Sequence, residues 1–324
     1  MPAPPSHSPE VVCAGVLVAD HVSEPMAALP AAGQLVAVER MYLLTGGCAA
    51  NVAINVAKQG IAVSALGCVG RDAFGDFIRR DLGERGVDCA HLAVSEAEQT
   101  SQTMILLCQG EDRRFVHTFG ANRSLTPAAI QPDQWPGARV FYLGGYLVLP
   151  GMEAEATAAV FQRCQELGMR TMLDVVIPTD FGYAGELDPI LPHVDLFVPN
   201  EDEAGMLTGH ADPLAQIGAL RAAGVGAVVV TRGAGGLVAV DGAEILEAPR
   251  YDAEEVDPSG AGDAFAAGFI AGMVRGGSLR ECLAYGSALG ASCVTAIGCH
   301  AGVYDAAGAE RFLQANPLPV TRLS

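Results

Sequence analysis

The stretch DPSGAGDAF, residues 257–265, combines an anion-binding backbone with a carboxylate. Gly260, Ala261 and Gly262 leave the backbone unshielded where an apolar helical run toward residue 275 begins. Several N–H groups and the positive end of the helix dipole then converge on one spot, which suits an anion. Asp263 falls in the first turn, beside that spot. It need not oppose the anion if it faces the nucleophile, taking a proton from a hydroxyl group that attacks a phosphorus atom held by the N–H groups. The plainer reading is a tight connection with a favourable acid in a helix first turn. A dinucleotide fingerprint is absent, because Phe265 takes the place of the third glycine.

Other polar residues have spacings open to two readings. Asn200 and Glu203, three apart in PNEDEA, lie on one side of a helix opening at 201 and also match a capping-box pair. Asp20 closes an apolar strand and Asn51 begins a helix, positions that turns and caps favour. Thr231 and Gly233 end a strand in GAVVVTRG. Lys58 is the only lysine and follows no G-x-x-x-x-G, so a P-loop is excluded. The nine cysteines show no C-x-x-C and the seven histidines no H-x-x-x-H. Disulfide frameworks and zinc or histidine metal centres are therefore unsupported, and the cysteines are expected to be reduced packing residues.

The elements that must position these residues alternate. VVCAGVLVAD (11–20) has the pattern of a buried strand, and QLVAVERMYLLTGG (34–47) that of a second strand ending in a glycine turn. A small-residue helix stopped by Gly60, a strand over 62–70 and an amphipathic helix over 73–86 follow. Residues 101–120 form two alternating runs about QGED, a hairpin that, with 34–44, would make a small sheet outside the main fold. From about residue 139, strands alternate with helices of 10–15 residues, and the chain closes with helices over 261–275, 278–297 and 306–315. This predicts an α/β fold: a doubly wound, mostly parallel sheet flanked by helices, with ligands beyond the carboxyl ends of the strands.

Composition narrows the partners. A formal charge of −18 without a basic stripe disfavours nucleic acid. A small anion is still admissible where N–H groups, a metal ion and a few arginines supply local positive potential. Half the residues are hydrophobic, enough for a large core, yet the run Ala264–Val274 is about half a membrane span. The opening MPAPPSHSPE has no basic or apolar signal region, so residues 1–10 are expected to be a flexible leader on a cytoplasmic protein.

Five segments in order resemble the ribokinase-like (PfkB) carbohydrate kinases. DPSGAGDAFAAGF is similar to the family's D-T-x-G-A-G-D-x-F signature, and TGGCAANVAINVAKQG to its N-terminal signature, with Gly46, Gly47 and Asn51 in the expected places. PNEDEA matches N-x-x-E at Asn200 and Glu203; VTRGAGG resembles T-x-G-x-x-G; GANRSLTP matches G-A-N-x-x-L-T. The resemblance implies a ribokinase-like kinase domain over 11–315 that moves the γ-phosphoryl group of ATP to a primary hydroxyl of a sugar or sugar-like acceptor. It implies Asp263 as base and Gly260, Ala261 and Gly262 as anion hole. It further implies Asn200, Glu203 and Asp257 about Mg²⁺, Thr231 and Gly233 at the nucleotide, and Asp20, Gly46, Gly47 and Asn51 at the acceptor. Segments 34–44 and 101–119 would be a lid that excludes water and pairs two subunits in a homodimer.

Two departures bear on specificity. Pro258 stands where the family has threonine, which leaves activation by K⁺ open. Gly144, Gly145 and Tyr146 lie where ribose-specific members tend to carry an acidic contact, which implies room, with an aromatic face, for a larger acceptor. Arg113, Arg114 and Arg123 would grip a phosphosugar or form a solvated strand face. A nucleoside kinase shares every feature except the acceptor pocket; a non-catalytic sugar-binding regulator and a dinucleotide-dependent oxidoreductase are the other classes carried forward.

Overall fold

A computed structural model describes residues 8–111, 113–178 and 185–323; residues 1–7 of the expected leader lie outside the described residues. The N-terminal part runs β1 (Val11–Gly15), β2 (Val18–Ser23), β3 (Met41–Gly46), α1 (Cys48–Lys58), β4 (Val63–Leu66), β5 (Cys68–Gly70), α2 (Ala73–Glu84), β6 (Ala93–Ser95), β7 (Gln102–Leu106) and β8 (Arg114–Thr118). The middle adds β9 (Val140–Gly144), α3 (Ala154–Glu166), β10 (Arg170–Leu173), β11 (Leu196–Phe197), α4 (Glu201–Thr208), α5 (Pro213–Ala222) and β12 (Ala227–Thr231). The chain ends with β13 (Leu237–Asp241), β14 (Glu244–Ala248), α6 (Ala261–Val274), α7 (Leu279–Cys293), α8 (Ala306–Ala315) and β15 (Thr321–Arg322).

Nine strands form the main sheet in the order β15-β14-β13-β12-β11-β10-β9-β1-β4. The six from β12 to β4 are parallel, and β13, β14 and β15 add antiparallel pairs. Val11 and Cys13 join one core layer with α1 and α6; Val12 and Ala14 join the other with α3 and α5. Burial on both faces explains the unbroken apolar runs of the parallel strands. Strand order reverses between β1 and β9, the switch point at which ligands of open α/β sheets collect.

A second sheet, β3-β2-β7-β8, stands apart from the first. Segment 11–20, expected to be one strand, divides at Val16 and Leu17: β1 stays in the main sheet and β2 enters the small one. The buried Asn122 amide holds this break, accepting from Leu17 N–H at 3.1 Å and donating to Leu17 C=O at 2.9 Å. Residue 122 therefore fixes where the small sheet leaves the large one. Strand β3 begins at Met41, later than the expected 34.

Candidate active site

Helix α6 brings Asp263 to the carboxyl ends of the parallel strands. It is apolar on nearly every side and packs against α7, with Gly268 and Gly286 allowing close approach. Its first turn follows Gly260, whose φ of 74° is left-handed, and a Cβ there would lie 2.5 Å from Cys299 Cβ. Only glycine meets both conditions, so the first N–H groups of α6 are delivered at a fixed angle. Asp257 anchors the preceding loop. It is 4% exposed, and its two carboxylate oxygens accept from Ser259 N–H and Gly298 N–H, each at 2.9 Å. The structure thus places this expected metal ligand against backbone donors.

Asp263 meets α1 and the end of β10. Asn51 Nδ2 donates to Asp263 Oδ2 at 2.7 Å, and His300 Nε2 lies 2.9 Å from Asn51 Oδ1. Asp174, directly after β10, accepts from the Tyr142 hydroxyl at 2.9 Å. One ligating atom each from Cys48, Asp174 and Asp263 lie within 4.8 Å of one another. Burial pushes the Asp263 carboxyl up to about 7, with the Asp174 charge second and the Asn51 hydrogen bond opposing. Burial likewise raises Asp20 to about 6 against a hydrogen bond from Thr103. Asp174 and Glu203 also lie above the usual carboxylate range, through burial and through the other acids of the site. Burial is the first cause of each rise, and these carboxylate oxygens suit a hard divalent ion better than the Cys48 thiol does.

A cleft opens beside the first turn of α6, at Ala261 and Gly262. Asn200 and Glu203 form a complete capping box on α4: Asn200 Oδ1 accepts from Glu203 N–H at 2.8 Å, and Glu203 Oε2 from Asn200 N–H at 2.9 Å. Asn200, Thr231, Gly233, Ala261 and Gly262 share the wall of this cleft of about 560 Å³. Tyr251, Phe265 and Val294 also line it. Arg113, at the edge of the small sheet, reaches the same cleft and donates to Ser259 Oγ at 2.9 Å. The segment that leads into β8 is therefore in contact with the loop before α6.

Several expectations need correction. Asp20 is central in β2, not at the end of the first strand, and its carboxylate occupies the space that a side chain on Gly46 would need. Gly47 is the N-cap of α1, so Asn51 is an interior helix residue whose amide faces Asp263. Gly144 itself is closely packed: a Cβ there would meet Cys48 Cβ and Tyr142 Cε1, each at 2.7 Å. Tyr146 presents no aromatic face to the site, being 2% exposed with its hydroxyl on Met152 C=O. The three arginines have separate neighbours: Arg114 pairs with Glu111, Arg123 lies over Phe119, and Arg113 turns to Ser259. Asp174, Tyr142, Cys48 and His300 were not expected in the site. An aspartate immediately after a buried strand was the one usable signal for Asp174.

Comparison with known proteins agrees across the chain. The family model described as pfkB family carbohydrate kinase matches residues 8–306. The ribokinase of Haemophilus influenzae is 25% identical over 296 residues, covering 89% of this chain and 93% of its own. The fructokinase of Klebsiella pneumoniae is 28% identical over 277 residues, 80% and 88% of the two chains. An Escherichia coli chain described as a ribokinase II, solved with ATP and Mg²⁺, superposes with a TM-score of 0.81 at 24% identity, covering 95% of this chain and 100% of its own.

Proposed function

Because the chain belongs to the PfkB family of carbohydrate kinases, we propose that it transfers the γ-phosphoryl group of ATP to a primary hydroxyl of a sugar or sugar-like acceptor, with Asp263 as the base. The observation that carries this reading is the placement of Asp263. A carboxyl pushed up to about 7 stands in the first turn of α6, next to Ala261 and Gly262 of the cleft wall and held by Asn51 of α1. A base is most effective when its pKa lies near the working pH.

In this account the acceptor lies under the small sheet, where Asp20 receives its hydroxyls, and the triphosphate enters the cleft along Thr231 and Gly233. Asp263 takes the proton of the attacking hydroxyl as oxygen bonds to phosphorus and the bond to the β-phosphate oxygen breaks. The N–H groups of Gly260, Ala261 and Gly262 stabilise charge on the transferring oxygens. Glu203 and Asn200, with Asp174 beside them, would hold Mg²⁺ and its waters; the ion, when bound, neutralises the triphosphate in a site rich in carboxylates. Asp257 acts here by fixing the loop. The small sheet, with Arg113 on Ser259, closes over the acceptor and keeps water from competing as nucleophile.

The ribokinase and the fructokinase among the relatives favour a sugar acceptor over a nucleoside. Met41, Leu43, Met104 and Val116 share the outer face of the small sheet and are exposed, which supports pairing of two copies there. The test is ATP turnover with Mg²⁺ across sugars, phosphosugars and nucleosides, with and without K⁺ because Pro258 replaces the family's threonine. Turnover confined to a free sugar is expected. Turnover confined to a nucleoside, or none despite measurable sugar binding, would overturn the reading.

A further inference from the structure

Residues 298–300 form a bridge between α1 and the anion-hole loop. Asn51, Asn55 and Lys58 occupy one face of α1, at successive turns. Asn55 Nδ2 donates to Cys299 C=O at 3.1 Å, and Lys58 Nζ to His300 C=O at 3.0 Å. The lone lysine of the chain thus fastens this bridge. On its other side Gly298 N–H donates to Asp257, and Cys299 packs where a side chain on Gly260 would fall.

Within the bridge, the His300 side chain makes the contact nearest the chemistry. It is 7% exposed, and its Nε2 lies 2.9 Å from Asn51 Oδ1. An ionised Asp263 can only accept, so the Asn51 atom 2.7 Å from Asp263 Oδ2 must be the amide nitrogen. Asn51 Oδ1 then faces the imidazole, which must donate through Nε2–H. A neutral ring suffices, and burial, with the charge of Arg85 second, pushes His300 down to about 3. Asn51 has two amide orientations of equal shape. Only one offers a donor to Asp263; the other would set a carbonyl oxygen against a carboxylate.

We propose that His300 is a positioning residue for phosphoryl transfer: its Nε2–H fixes the Asn51 amide so that Nδ2 holds the Asp263 carboxylate in place. This rests on the reading of Asp263 as the base. His300 touches neither reactant and acts through Asn51 alone. Removing the imidazole frees the amide to turn, so Asp263 loses a charge-assisted donor and binds its proton more tightly.

The experiment compares His300→Leu, His300→Gln, Asn51→Ala, Asn51→Ala with His300→Leu, Lys58→Met and Asp263→Asn by steady-state kinetics over pH 5.5–9. For His300→Leu we expect kcat to fall about 10- to 100-fold with both KM values within about twofold. The acid limb of the kcat profile should move up by about one pH unit. Glutamine, which keeps a donor, should recover most of the activity, and the double variant should be no worse than Asn51→Ala. Lys58→Met, which loosens the same bridge without touching the amide, should keep kcat within about twofold. His300→Met, also without a donor, replaces His300→Leu if circular dichroism shows the latter unfolded. The proposal is overturned if the leucine variant matches wild type, if its loss lies in KM, if the acid limb stays put, if the double variant loses more, or if Lys58→Met behaves the same. Asp263→Asn separates the two claims: an active Asp263→Asn variant removes the base reading itself, whereas an inactive one beside an unaffected His300→Leu removes only the role of His300.

Discussion

Gly46→Ala should weaken the acceptor while leaving the fold intact. A Cβ at residue 46 would lie 1.8 Å from Asp20 Oδ2 and 2.6 Å from Asp20 Cγ, with side-chain atoms alone in its way. Gly46 is not among the positive-φ glycines, so alanine meets no backbone penalty. The Asp20 carboxylate must swing to another rotamer, leaving its place beside Thr103. A charge-assisted hydrogen bond is worth about 1.5–3 kcal/mol. Its loss from the bound acceptor is therefore a fall in acceptor kcat/KM of about 10- to 150-fold. The KM for ATP should stay within about twofold and Tm within about 3 °C. Asp20→Ala should produce a similar loss, and the double variant no further one, because both changes remove the same contact. The assay varies acceptor at saturating ATP, beside thermal unfolding of each variant. An unchanged acceptor kcat/KM would refute the placement of Asp20, and a collapse of Tm would refute the claim that a side-chain movement absorbs the clash.

Three further outcomes follow from the same geometry. Gly260→Ala combines a left-handed φ of 74° with backbone and side-chain contact at Cys299, so it should cost about 2–5 kcal/mol of stability in denaturant unfolding and lower kcat at least about 100-fold. Asp20, Asp174, Glu203 and Asp263 have raised folded pKa values and hold protons that the unfolded chain releases. Their contribution is complete below about pH 4 and is lost as pH rises through 6–7, so Tm in EDTA should fall from pH 5 to 8, and Asp174→Asn should flatten that decline. Val116→Glu, on the exposed face of the small sheet, should abolish the proposed pairing of two copies, read as the solution mass in light scattering beside wild type.

Much of the fold is legible in the sequence, because periodicity and glycine punctuation act locally. The alternation after residue 139, the helix start at 261 and the capping box at 200–203 all appear where local pattern puts them. The division of β1 from β2 is not legible. Val16 and Leu17 are as apolar as their neighbours, and Asn122, more than a hundred residues away, makes the break. The site divides in the same way. Asp263, Thr231 and Asn200 sit on elements that their own motifs announce. Cys48 has the composition of a packing thiol yet sits against Asp174 and Asp263, and the isolated His300 acquires a partner only when α7 returns the chain to α1. Tyr146 misled for the converse reason: an aromatic beside two glycines suggests an open face, but its hydroxyl closes a local turn onto Met152 inside the core.

The central claim is that Asp263 takes the acceptor proton, and single-turnover phosphoryl transfer from γ-labelled ATP tests it most directly. With the acceptor found to be turned over, Asp263→Asn should bind ATP and acceptor within about threefold of wild type and transfer about 10²–10⁴ times more slowly. Transfer by Asp263→Asn at a rate within about threefold of wild type, with both reactants bound, would contradict it.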